Sequence, residues 1–350
     1  MKIAIVGCGA MGTVMGALLT QNGCPVAMVD VYKAHVDAMN EKGAHIVGKM
    51  DVTVPVKALT PDEMDGIYDV VFLFTKQTAN DDILPVLLPH LGENSTVCTL
   101  QNGVPEMFVS KYVGMDRTVG GTVLWGATFV GAGESELTQD ISKNDHLFEI
   151  GEISGEITPR IQMIADILGH MGRPAKVSTK LMASRWGKLI NNACMSGMSA
   201  VIGGTFGDVL ANPKAAACLS YIGNEVKRCC EAAGYQLPLL LNEQSPDTLD
   251  LVDQAMYDED QKMFRVMYED MHTAKASMLQ DLEKGRKSEV GMINGYVCQT
   301  GDQYGIETPF NDKVVEIVRC IEEGKLTLSE KNIDLFPDEW FKYTIQYKSD

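Results

Sequence analysis

The sequence predicts a two-part α/β protein, with an N-terminal doubly wound, mostly parallel sheet followed by an all-helical C-terminal domain. Strand-like apolar segments alternate with helical ones through the first half of the chain, whereas the remainder carries helical periodicity alone. A chain of 350 residues is also too long for one ordinary core. We therefore place the sheet domain at 1–178, the helical domain at 179–325 and an aromatic C-terminal tail at 326–350.

The first element is an apolar strand over residues 2–6 that runs directly into a glycine-rich turn. That turn reads Gly7-Cys8-Gly9-Ala10-Met11-Gly12 and opens a helix through Leu19. A Gly-x-Gly-x-x-Gly pattern between a strand and a helix is the Rossmann-type fingerprint of dinucleotide binding. Gly7 suits the tight turn, Gly9 permits close approach of a pyrophosphate, and Gly12 lets the helix pack on its strand. All six residues are expected to bind the cofactor at the positive end of the helix dipole.

Asp30 follows the second strand, which covers residues 25–29. An acidic residue there would accept hydrogen bonds from the adenosine ribose hydroxyls, and its charge would repel a 2′-phosphate. The position therefore favours NAD(H), with NADP(H) as the second choice. The competing interpretation is a glycine-rich turn at a strand end with a surface aspartate.

Further strands and helices complete the predicted sheet domain. Strands are expected at 70–74, 96–100, 118–123 and 174–177, and a helix at 34–42. Glycine-rich loops at 131–133 and 151–155 are expected to flank a hairpin. Lys76 and Asn102 lie in the loops after the first two of these strands, where open α/β sheets bind cofactor or substrate. Simple polar turns explain these loops equally well.

The helical domain is predicted from five amphipathic stretches. They span 182–199, 213–233, 249–283, 288–304 and 311–323. Lys188 and Asn192 are four residues apart in the first stretch, which places them on one helix face. An ammonium and a carboxamide together suit a carbonyl substrate, because one can donate a proton while the other fixes orientation; burial would lower the lysine pKa toward the working pH. An ordinary polar pair on a helix surface is the alternative.

A second polar cluster begins at Ser277. Gly285 is expected to end one helix, with Ser288 capping the next and Glu289 in its first turn. The helix dipole would keep a carboxylate ionised at that position. Glu289 could then orient a lysine or bind a ribose hydroxyl, or it could be a capping-turn residue and nothing more.

Composition excludes several function classes. A formal net charge of −17 argues against a nucleic acid or an anionic membrane as partner, and no apolar run reaches membrane-spanning length. The chain begins on a strand of the fold, so no signal peptide is expected. Nine cysteines without a C-x-x-C, and six scattered histidines, predict reduced thiols, a cytoplasmic location and no metal site. The aromatic tail is expected to pack on the body of the protein or on a second subunit of a homodimer.

Taken in order, these motifs resemble the ketopantoate reductase family of NAD(P)H-dependent 2-oxoacid reductases, including an NAD-dependent (R)-2-hydroxyacid dehydrogenase branch. The matching positions, from Met1 to about Val318, are Gly7 to Gly12, Lys76, 101–103, Lys188 with Leu189 and Asn192, 277–281, Glu289, 293–295, and Thr308 with Pro309. The resemblance implies an oxidoreductase acting on CH–OH groups, with ketopantoate, a precursor in pantothenate biosynthesis, as the default substrate.

The same resemblance implies roles for single residues. Lys188 matches the catalytic lysine, expected to protonate the carbonyl oxygen as hydride arrives from the nicotinamide. Asn192 and Asn102 match hydrogen-bonding positions on the substrate and nicotinamide sides, and Ser277 matches a contact to the substrate carboxylate. Glu289 matches the acid that positions the cofactor ribose and the lysine, and Lys76 falls at a cofactor-binding position.

The chain also departs from the family pattern in ways that bear on substrate and cofactor. Asp30 stands where NADPH-using members commonly have a basic residue. Residues 203–206 and Ala274 are less polar than the usual substrate pocket, and the helical segment 239–267 is longer than usual. We therefore expect NADH to reduce a branched 2-oxoacid, ketopantoate or similar, in a cleft between the two domains. A β-hydroxyacid or 6-phosphogluconate-type dehydrogenase is the alternative enzyme, and a non-catalytic NAD(H)-sensing module is the alternative from another class.

Overall fold

The computed structural model of the protein describes residues 1–241 and 244–343. The chain divides into two compact units, the first formed by Met1–Leu181 and the second beginning at Met182. This division falls just past the boundary expected at residue 178. Hydrophobic clusters of buried side chains lie within each unit.

The first unit alternates strands and helices as the sequence predicts. Its elements are β1 (Ile3–Val6), α1 (Ala10–Gln21), β2 (Ala27–Val29), α2 (Lys33–Lys42), β3 (Ala44–Gly48), β4 (Val52–Val54), β5 (Lys57–Leu59), β6 (Tyr68–Leu73), α3 (Asn80–Leu87), β7 (Leu91–Thr99), α4 (Glu106–Val113), β8 (Thr118–Val123), β9 (Ala127–Gly131), β10 (Glu134–Leu137), β11 (Phe148–Glu152), α5 (Pro159–Gly169) and β12 (Ala175–Val177). The predicted strands and the first two helices are confirmed, with ends shifted by a few residues.

The main sheet has eight strands in the order β12-β11-β8-β7-β6-β1-β2-β5. Every neighbouring pair is parallel except β8 and β11, so the doubly wound, mostly parallel sheet is confirmed. The chain leaves β1 toward β2 on one side and later returns to β6 on the other. The strand order therefore reverses beside β1, and ligands of open α/β sheets bind at such a reversal, outside the carboxyl ends of the strands.

A second, four-stranded sheet in the order β4-β3-β10-β9 was not predicted. The expected hairpin between loops 131–133 and 151–155 is wrong, because 131–133 contains the turn of a hairpin formed by β9 and β10. Gly133 makes that turn with a φ of 81°. Gly151 belongs instead to β11, which pairs with β8 in the main sheet. Hydrophobic periodicity missed this sheet because β3 pairs with β10, which lies far along the chain.

Helix α1 is buried between the two sheets. Its residues from Gly12 to Leu19 are buried without a break. The helix contacts β1 and β2 of the main sheet and β3, β9 and β10 of the second sheet. A helix that is apolar all round needs cover on all sides, which the second sheet supplies. The same packing fixes the N-terminus of α1 and the glycine turn that precedes it.

The second unit is helical, as predicted. Its helices are α6 (Leu181–Asn191, which starts at the division), α7 (Gly197–Ile202), α8 (Phe206–Ala211), α9 (Pro213–Ala232), α10 (Gln254–Met267), α11 (Ser277–Glu283), α12 (Asn294–Tyr304) and α13 (Pro309–Glu322). A π-helical turn, Asn192–Ser196, joins α6 to α7 within the predicted stretch 182–199.

The predicted continuous helix over 249–283 is wrong, because α10 ends at Met267 and α11 begins at Ser277. The intervening carbonyls of His272 and Ala274 accept hydrogen bonds from the amides of Gly207 and Phe206, at 2.9 and 3.0 Å. Those amides belong to the first turn of α8, where a helix leaves its N–H groups without partners of its own. The segment between α10 and α11 does not continue as an α-helix, because two of its carbonyls accept hydrogen bonds from the first amides of α8.

The described part of the tail packs on the second unit. Phe336 is fully buried, with its ring 6.0 Å from that of Phe310. The Tyr343 hydroxyl donates to the Leu251 carbonyl, and its ring stacks 5.6 Å from Tyr257. Of the two arrangements predicted for the tail, residues 326–343 adopt packing on the body of the chain. Residues 344–350 lie outside the described residues.

The nine cysteines are all free thiols. Burial raises the pKa of Cys229 and Cys230 to about 12, which keeps both as unreactive thiols. Within residues 1–241 and 244–343, no helix is long and apolar enough to cross a membrane. The same residues contain no group of three His, Cys, Asp or Glu side chains that could hold a metal ion.

Candidate active site

The glycine turn lies at the reversal point of the main sheet. Gly7 has a φ of 95°, and its amide donates to the Val29 carbonyl at 2.8 Å. A Cβ on Gly7 would lie 2.4 Å from the Thr75 amide nitrogen, and one on Gly12 would lie 2.3 Å from the Gly7 carbonyl oxygen. Only glycine fits at these two positions. The turn is therefore packed against the ends of both β2 and β6.

Gly9 differs from its two neighbours in the fingerprint. A Cβ on Gly9 would meet nothing within 4 Å, so the backbone there borders open space. The residue is the N-cap of α1, whose first amides have no partner within the helix. An open backbone at a helix N-terminus fits the pyrophosphate of a dinucleotide.

Asp30 is half-buried immediately after β2. Its amide donates to the Leu59 carbonyl at 3.1 Å, and its carboxylate accepts a hydrogen bond from the Tyr32 amide at 2.8 Å. Both bonds fix the carboxylate at the end of the strand. Lys33, which follows shortly, forms a 2.8 Å ion pair with Asp37 on the exposed surface of α2.

The loops after β6 and β7 are tied together by buried amides. The Gln101 side chain donates to the Thr75 carbonyl at 2.8 Å and to Asn80 Oδ1 at 2.6 Å. Gln77 donates to the Asn102 carbonyl at 2.5 Å, which holds the backbone of Asn102 while its side chain stays partly exposed. Lys76 is exposed in the first of these loops. The sequence-predicted positions in the two loops therefore lie beside the glycine turn.

His35 contacts the glycine turn through the Cys8 carbonyl oxygen, 2.8 Å from its Nε2. No sequence motif predicted this contact. His35 is fully buried on α2, with hydrogen-bonding partners at both ring nitrogens. The available signal was its position on the same buried helix face as Val36 and Met39. A histidine on the buried face of a helix needs polar partners, and these come from distant segments that the sequence pattern does not reveal.

Lys188 lies half-buried on α6. Burial lowers the pKa of its ammonium group to about 8, and the positive charge of Arg185 acts in the same direction. Trp186 and Leu189 on the same helix are fully buried and anchor it in the core. The lysine is thus held at the edge of the unit's core with a proton that it can release near neutral pH.

Asn192 follows Lys188 on the same face and begins the π-helical turn. That turn depends on a buried asparagine: Asn294 donates to the Ala193 carbonyl at 3.0 Å and to Asn311 Oδ1 at 2.9 Å. Asn311 in turn donates to the Glu225 carboxylate at 2.7 Å. Because π turns alter the phase of a helix, this network sets how the residues after Lys188 are presented.

The segment around 239–267 is anchored to α6 at both ends. A Cβ on Gly187 would lie 2.7 Å from the ring of Pro238, so the chain approaches the helix next to Lys188. The Tyr268 hydroxyl donates to Asn191 Oδ1 at 3.0 Å. The unusually long segment therefore begins and ends beside the helix that carries the lysine; residues 242–243 within it lie outside the described residues.

Ser277 and Glu289 occupy the two sides of a helix break. Ser277 is exposed as the first residue of α11, and that helix contacts the π turn. Gly285 ends α11 with a φ of 64°, which confirms its predicted role. The N-cap of the next short 3₁₀ helix is Glu289, so the predicted cap at Ser288 and the predicted first-turn position of Glu289 are both wrong by one residue. Ser288 Oγ still accepts a hydrogen bond from the Val290 amide at 3.3 Å. Glu289 is buried, beside Ser288, whose amide and hydroxyl both donate to Glu322.

The predicted site residues thus form two sets. In the first unit the glycine turn, Asp30 and the loops carrying Lys76 and Asn102 share one edge of the sheet. In the second unit Lys188 and Asn192 share one helix face, and the helix of Ser277 packs on the turn that Asn192 begins. A Rossmann-type glycine turn in a parallel sheet, followed by a helical C-terminal domain, is an arrangement found among nicotinamide-dependent oxidoreductases.

Two family profiles match the chain in succession: Ketopantoate reductase PanE/ApbA over residues 3–152, and Ketopantoate reductase PanE/ApbA C terminal over residues 180–322. The chain belongs to the ketopantoate reductase family. Among curated relatives, the 2-dehydropantoate 2-reductase of Archaeoglobus fulgidus is 26% identical over 325 residues, covering 92% of this chain and 98% of the relative. That of Lactococcus lactis is 27% identical over 336 residues, with the same coverage.

Solved structures share this fold over nearly their whole length. The PanE/ApbA family ketopantoate reductase of Ralstonia eutropha has a TM-score of 0.77 and 25% identity, covering 93% of this chain and 99% of its own. D-mandelate dehydrogenase in complex with NADH and anilino(oxo)acetate has a TM-score of 0.78 at 24% identity, again over 93% and 99% of the two chains. The predicted combination of a Rossmann-type sheet and a helical C-terminal domain is confirmed.

Proposed function

We propose that this protein reduces a branched 2-oxoacid to the 2-hydroxyacid with NADH, and that Lys188 is the general acid. The observation that carries the proposal is the half-buried Lys188, with its lowered pKa, on the same helix face as Asn192. Family membership and the curated relatives that are 2-dehydropantoate 2-reductases support the reaction class.

In this reaction a reduced nicotinamide, when bound, supplies the hydride. The Lys188 ammonium donates its proton to the carbonyl oxygen as the carbonyl carbon is reduced, so that hydride and proton together convert C=O to CH–OH. A pKa of about 8 suits this role, because the group is protonated at neutral pH and yet gives up its proton readily. Asn192, one turn further along, orients the carbonyl by donating a hydrogen bond.

Four other residues complete the proposed site. Ser277, exposed at the start of α11, binds the substrate carboxylate through its hydroxyl, and Asn102 lies on the nicotinamide side. Glu289 positions the cofactor ribose and the lysine. Lys76, exposed after β6, binds the cofactor by its charge.

The substrate's side chain is expected to be apolar. Phe206 and Ala274, which belong to the less polar stretches of the sequence, are joined by a 3.0 Å hydrogen bond from the Phe206 amide to the Ala274 carbonyl. The Phe206 ring also lies 5.5 Å from that of Tyr268, whose hydroxyl bonds to α6. Apolar side chains therefore pack beside the segment that leads to Ser277, and this supports a branched 2-oxoacid as the substrate.

NADH is proposed over NADPH because of the charge at the end of β2. The Asp30 carboxylate is held there by the Tyr32 amide, where it suits ribose hydroxyls and repels a 2′-phosphate. Lys33, a cation that could have balanced a phosphate, is paired with Asp37 instead.

Steady-state kinetics with a panel of 2-oxoacids tests both parts of the proposal. Ketopantoate, 2-oxoisovalerate, phenylglyoxylate and pyruvate are each assayed with NADH and with NADPH. We expect the branched acids to exceed pyruvate in kcat/KM, and NADH to exceed NADPH. Asp30→Ala should lower the ratio of kcat/KM with NADH to kcat/KM with NADPH. Glu41→Ala, which removes an exposed carboxylate in the last turn of α2, serves as the control.

The outcomes separate the two claims. No turnover of any 2-oxoacid with either cofactor would overturn the reaction class. A native preference for NADPH would overturn the role of Asp30 alone.

A further inference from the structure

His35 joins three segments of the first unit through its imidazole ring. The Gly133 amide donates to Nδ1 at 2.7 Å. Nε2 lies 2.8 Å from the Cys8 carbonyl oxygen and 3.0 Å from Thr13 Oγ1. Thr13 Oγ1 itself donates to the same carbonyl at 2.7 Å. The ring therefore connects the β9–β10 hairpin of the second sheet to the middle of the glycine turn.

The hydrogen bonds fix the tautomer of this histidine. Because Nδ1 accepts from an amide, it carries no proton, and in the neutral ring the single proton is on Nε2. Nε2–H then donates to the Cys8 carbonyl. Burial lowers the pKa of the ring, against the opposing effects of the Cys8 carbonyl and the Asp30 charge, and so favours the neutral form that both bonds require.

The Cys8 carbonyl belongs to the same peptide unit as the Gly9 amide. A trans peptide is planar, and its C=O and N–H point in opposite directions. No cis peptide bond occurs among residues 1–241 and 244–343. When His35 and Thr13 hold the Cys8 oxygen toward the protein interior, the Gly9 N–H is directed away from it. The space beside Gly9 is open, since a Cβ on that residue would have no neighbouring atom within 4 Å.

We propose that His35 is a positioning residue for the cofactor: as a neutral Nε2–H imidazole braced by Gly133, it holds the Cys8–Gly9 peptide so that the Gly9 amide faces the dinucleotide pyrophosphate. This inference rests on the proposed function for its ligand. The second sheet would then contribute to cofactor binding indirectly, because the Gly133 amide in its β9–β10 hairpin donates the hydrogen bond that fixes the His35 ring.

Two substitutions at His35 distinguish the hydrogen bond at Nδ1 from the hydrogen bond at Nε2. In His35→Asn the side-chain oxygen can still accept from Gly133, but the shorter side chain cannot reach Cys8. In His35→Gln the side-chain amide extends to the Nε2 position and can still donate to the Cys8 carbonyl. The half-buried His90, whose Nδ1 bonds to the Gly66 carbonyl at 2.9 Å away from the turn, supplies the control variant His90→Asn.

The readout is the dissociation constant for NADH, measured by calorimetric titration, with thermal unfolding of the ligand-free protein measured in parallel. We expect His35→Asn to weaken NADH binding by about tenfold, the effect of one well-placed hydrogen bond, and His35→Gln to stay within about threefold of the native protein. His90→Asn should leave the constant unchanged. In the ligand-free native protein, ¹⁵N NMR should show His35 Nδ1 without a proton and Nε2 protonated.

Equal NADH affinity in His35→Asn and the native protein would overturn the proposal, as would loss of affinity in both His35 variants in proportion to lost thermal stability. A proton on Nδ1 would overturn it too. These failures are distinct from failure of the proposed function, in which the native protein itself would not bind NADH or reduce a 2-oxoacid.

Discussion

The surroundings of Lys188 lower the pKa of its ammonium group. A free lysine is protonated far above neutral pH and releases its proton poorly. On α6 the loss of water around the ammonium group, with the Arg185 charge as the second cause, brings the pKa to about 8. Both causes act against the charged form, so the proton becomes easier to transfer.

This pKa predicts the pH dependence of the reaction. If Lys188 is the general acid, as proposed, reduction needs the protonated lysine, so kcat with NADH should be level below about pH 8 and fall above it. Oxidation of the 2-hydroxyacid would need the neutral amine and should rise across the same range. Lys188→Ala should lower kcat by at least about a hundredfold with little change in NADH affinity. Initial rates in both directions between pH 6 and 10 provide the measurement, roughly two units either side of the pKa.

Lys180→Ala is the control, since Lys180 is exposed just before α6 begins. It should keep the native profile. If Lys188→Ala turned over at a near-native rate, or if reduction rose above pH 8, Lys188 would not be the acid.

At this scale the sequence predicted which residues share a face but not their energetics. The spacing of Lys188 and Asn192 was enough to place them together on a helix. The sequence analysis expected a lowered Lys188 pKa only if the lysine is buried, and its burial depends on how the chain folds around α6. The hydrogen bonds of His35 come from Gly133 and Cys8, far apart in the chain. Neither could be inferred from a local pattern.

At the scale of elements, the glycine turn combines two kinds of glycine. Gly7 and Gly12 are required by the fold, because a side chain at either would collide with backbone atoms. Gly9 borders open space and is not required by any neighbouring protein atom. The fold therefore requires Gly7 and Gly12, whereas Gly9 is the glycine that the proposed pyrophosphate site would require.

Alanine substitutions should separate these roles. Gly7→Ala places a Cβ 2.4 Å from the Thr75 amide at a φ of 95°, and should lower the free energy of unfolding by about 2 kcal/mol or more. Gly9→Ala should change it by less than about 1 kcal/mol but weaken NADH binding by at least about tenfold. Urea denaturation and NADH titration of both variants are the measurements. Native NADH affinity in Gly9→Ala would show that the turn does not hold the pyrophosphate.

Local signals predicted helix ends better than helix interiors. Gly285 ends α11 as expected, and the Arg286 amide bonds back to the Asp281 carbonyl at 2.8 Å, a closure that a glycine at this position permits. The π turn at Asn192–Ser196 carries no such signal, because the Asn294 side chain that bonds to it comes from α12. The break between α10 and α11 likewise follows from bonds to α8.

At the scale of the molecule, the alternation of strands and helices predicted the main sheet, but it could not predict the second one. Four pairs of neighbouring strands in the main sheet are joined through a helix, as general rules of α/β folds predict: β1–β2, β6–β7, β7–β8 and β11–β12. The second sheet pairs β3 with β10, and only the burial of α1 on all sides indicates that something must cover it. The long apolar run of that helix was the one available clue.

The tail belongs to the core of the second unit, and this makes a prediction about stability. Phe336 is fully buried against Phe310, whose ring stacks 4.6 Å from Tyr221 on α9. Phe336→Ala should lower the free energy of unfolding by about 3 to 5 kcal/mol, because it removes a buried ring and leaves a cavity. The adjacent Leu335 is 44% exposed, and Leu335→Ala should change the free energy by no more than about 0.5 kcal/mol.

Urea denaturation at two protein concentrations distinguishes packing within one chain from packing across subunits. If the tail packs on its own chain, the loss in Phe336→Ala is the same at both concentrations, because unfolding of a single chain is unimolecular. A loss that shrinks on dilution would indicate that the ring stabilises an assembly instead, because the native protein loses the contact between subunits as the assembly dissociates. Equal stabilities of Phe336→Ala and Leu335→Ala would show that the tail is not part of the core at all.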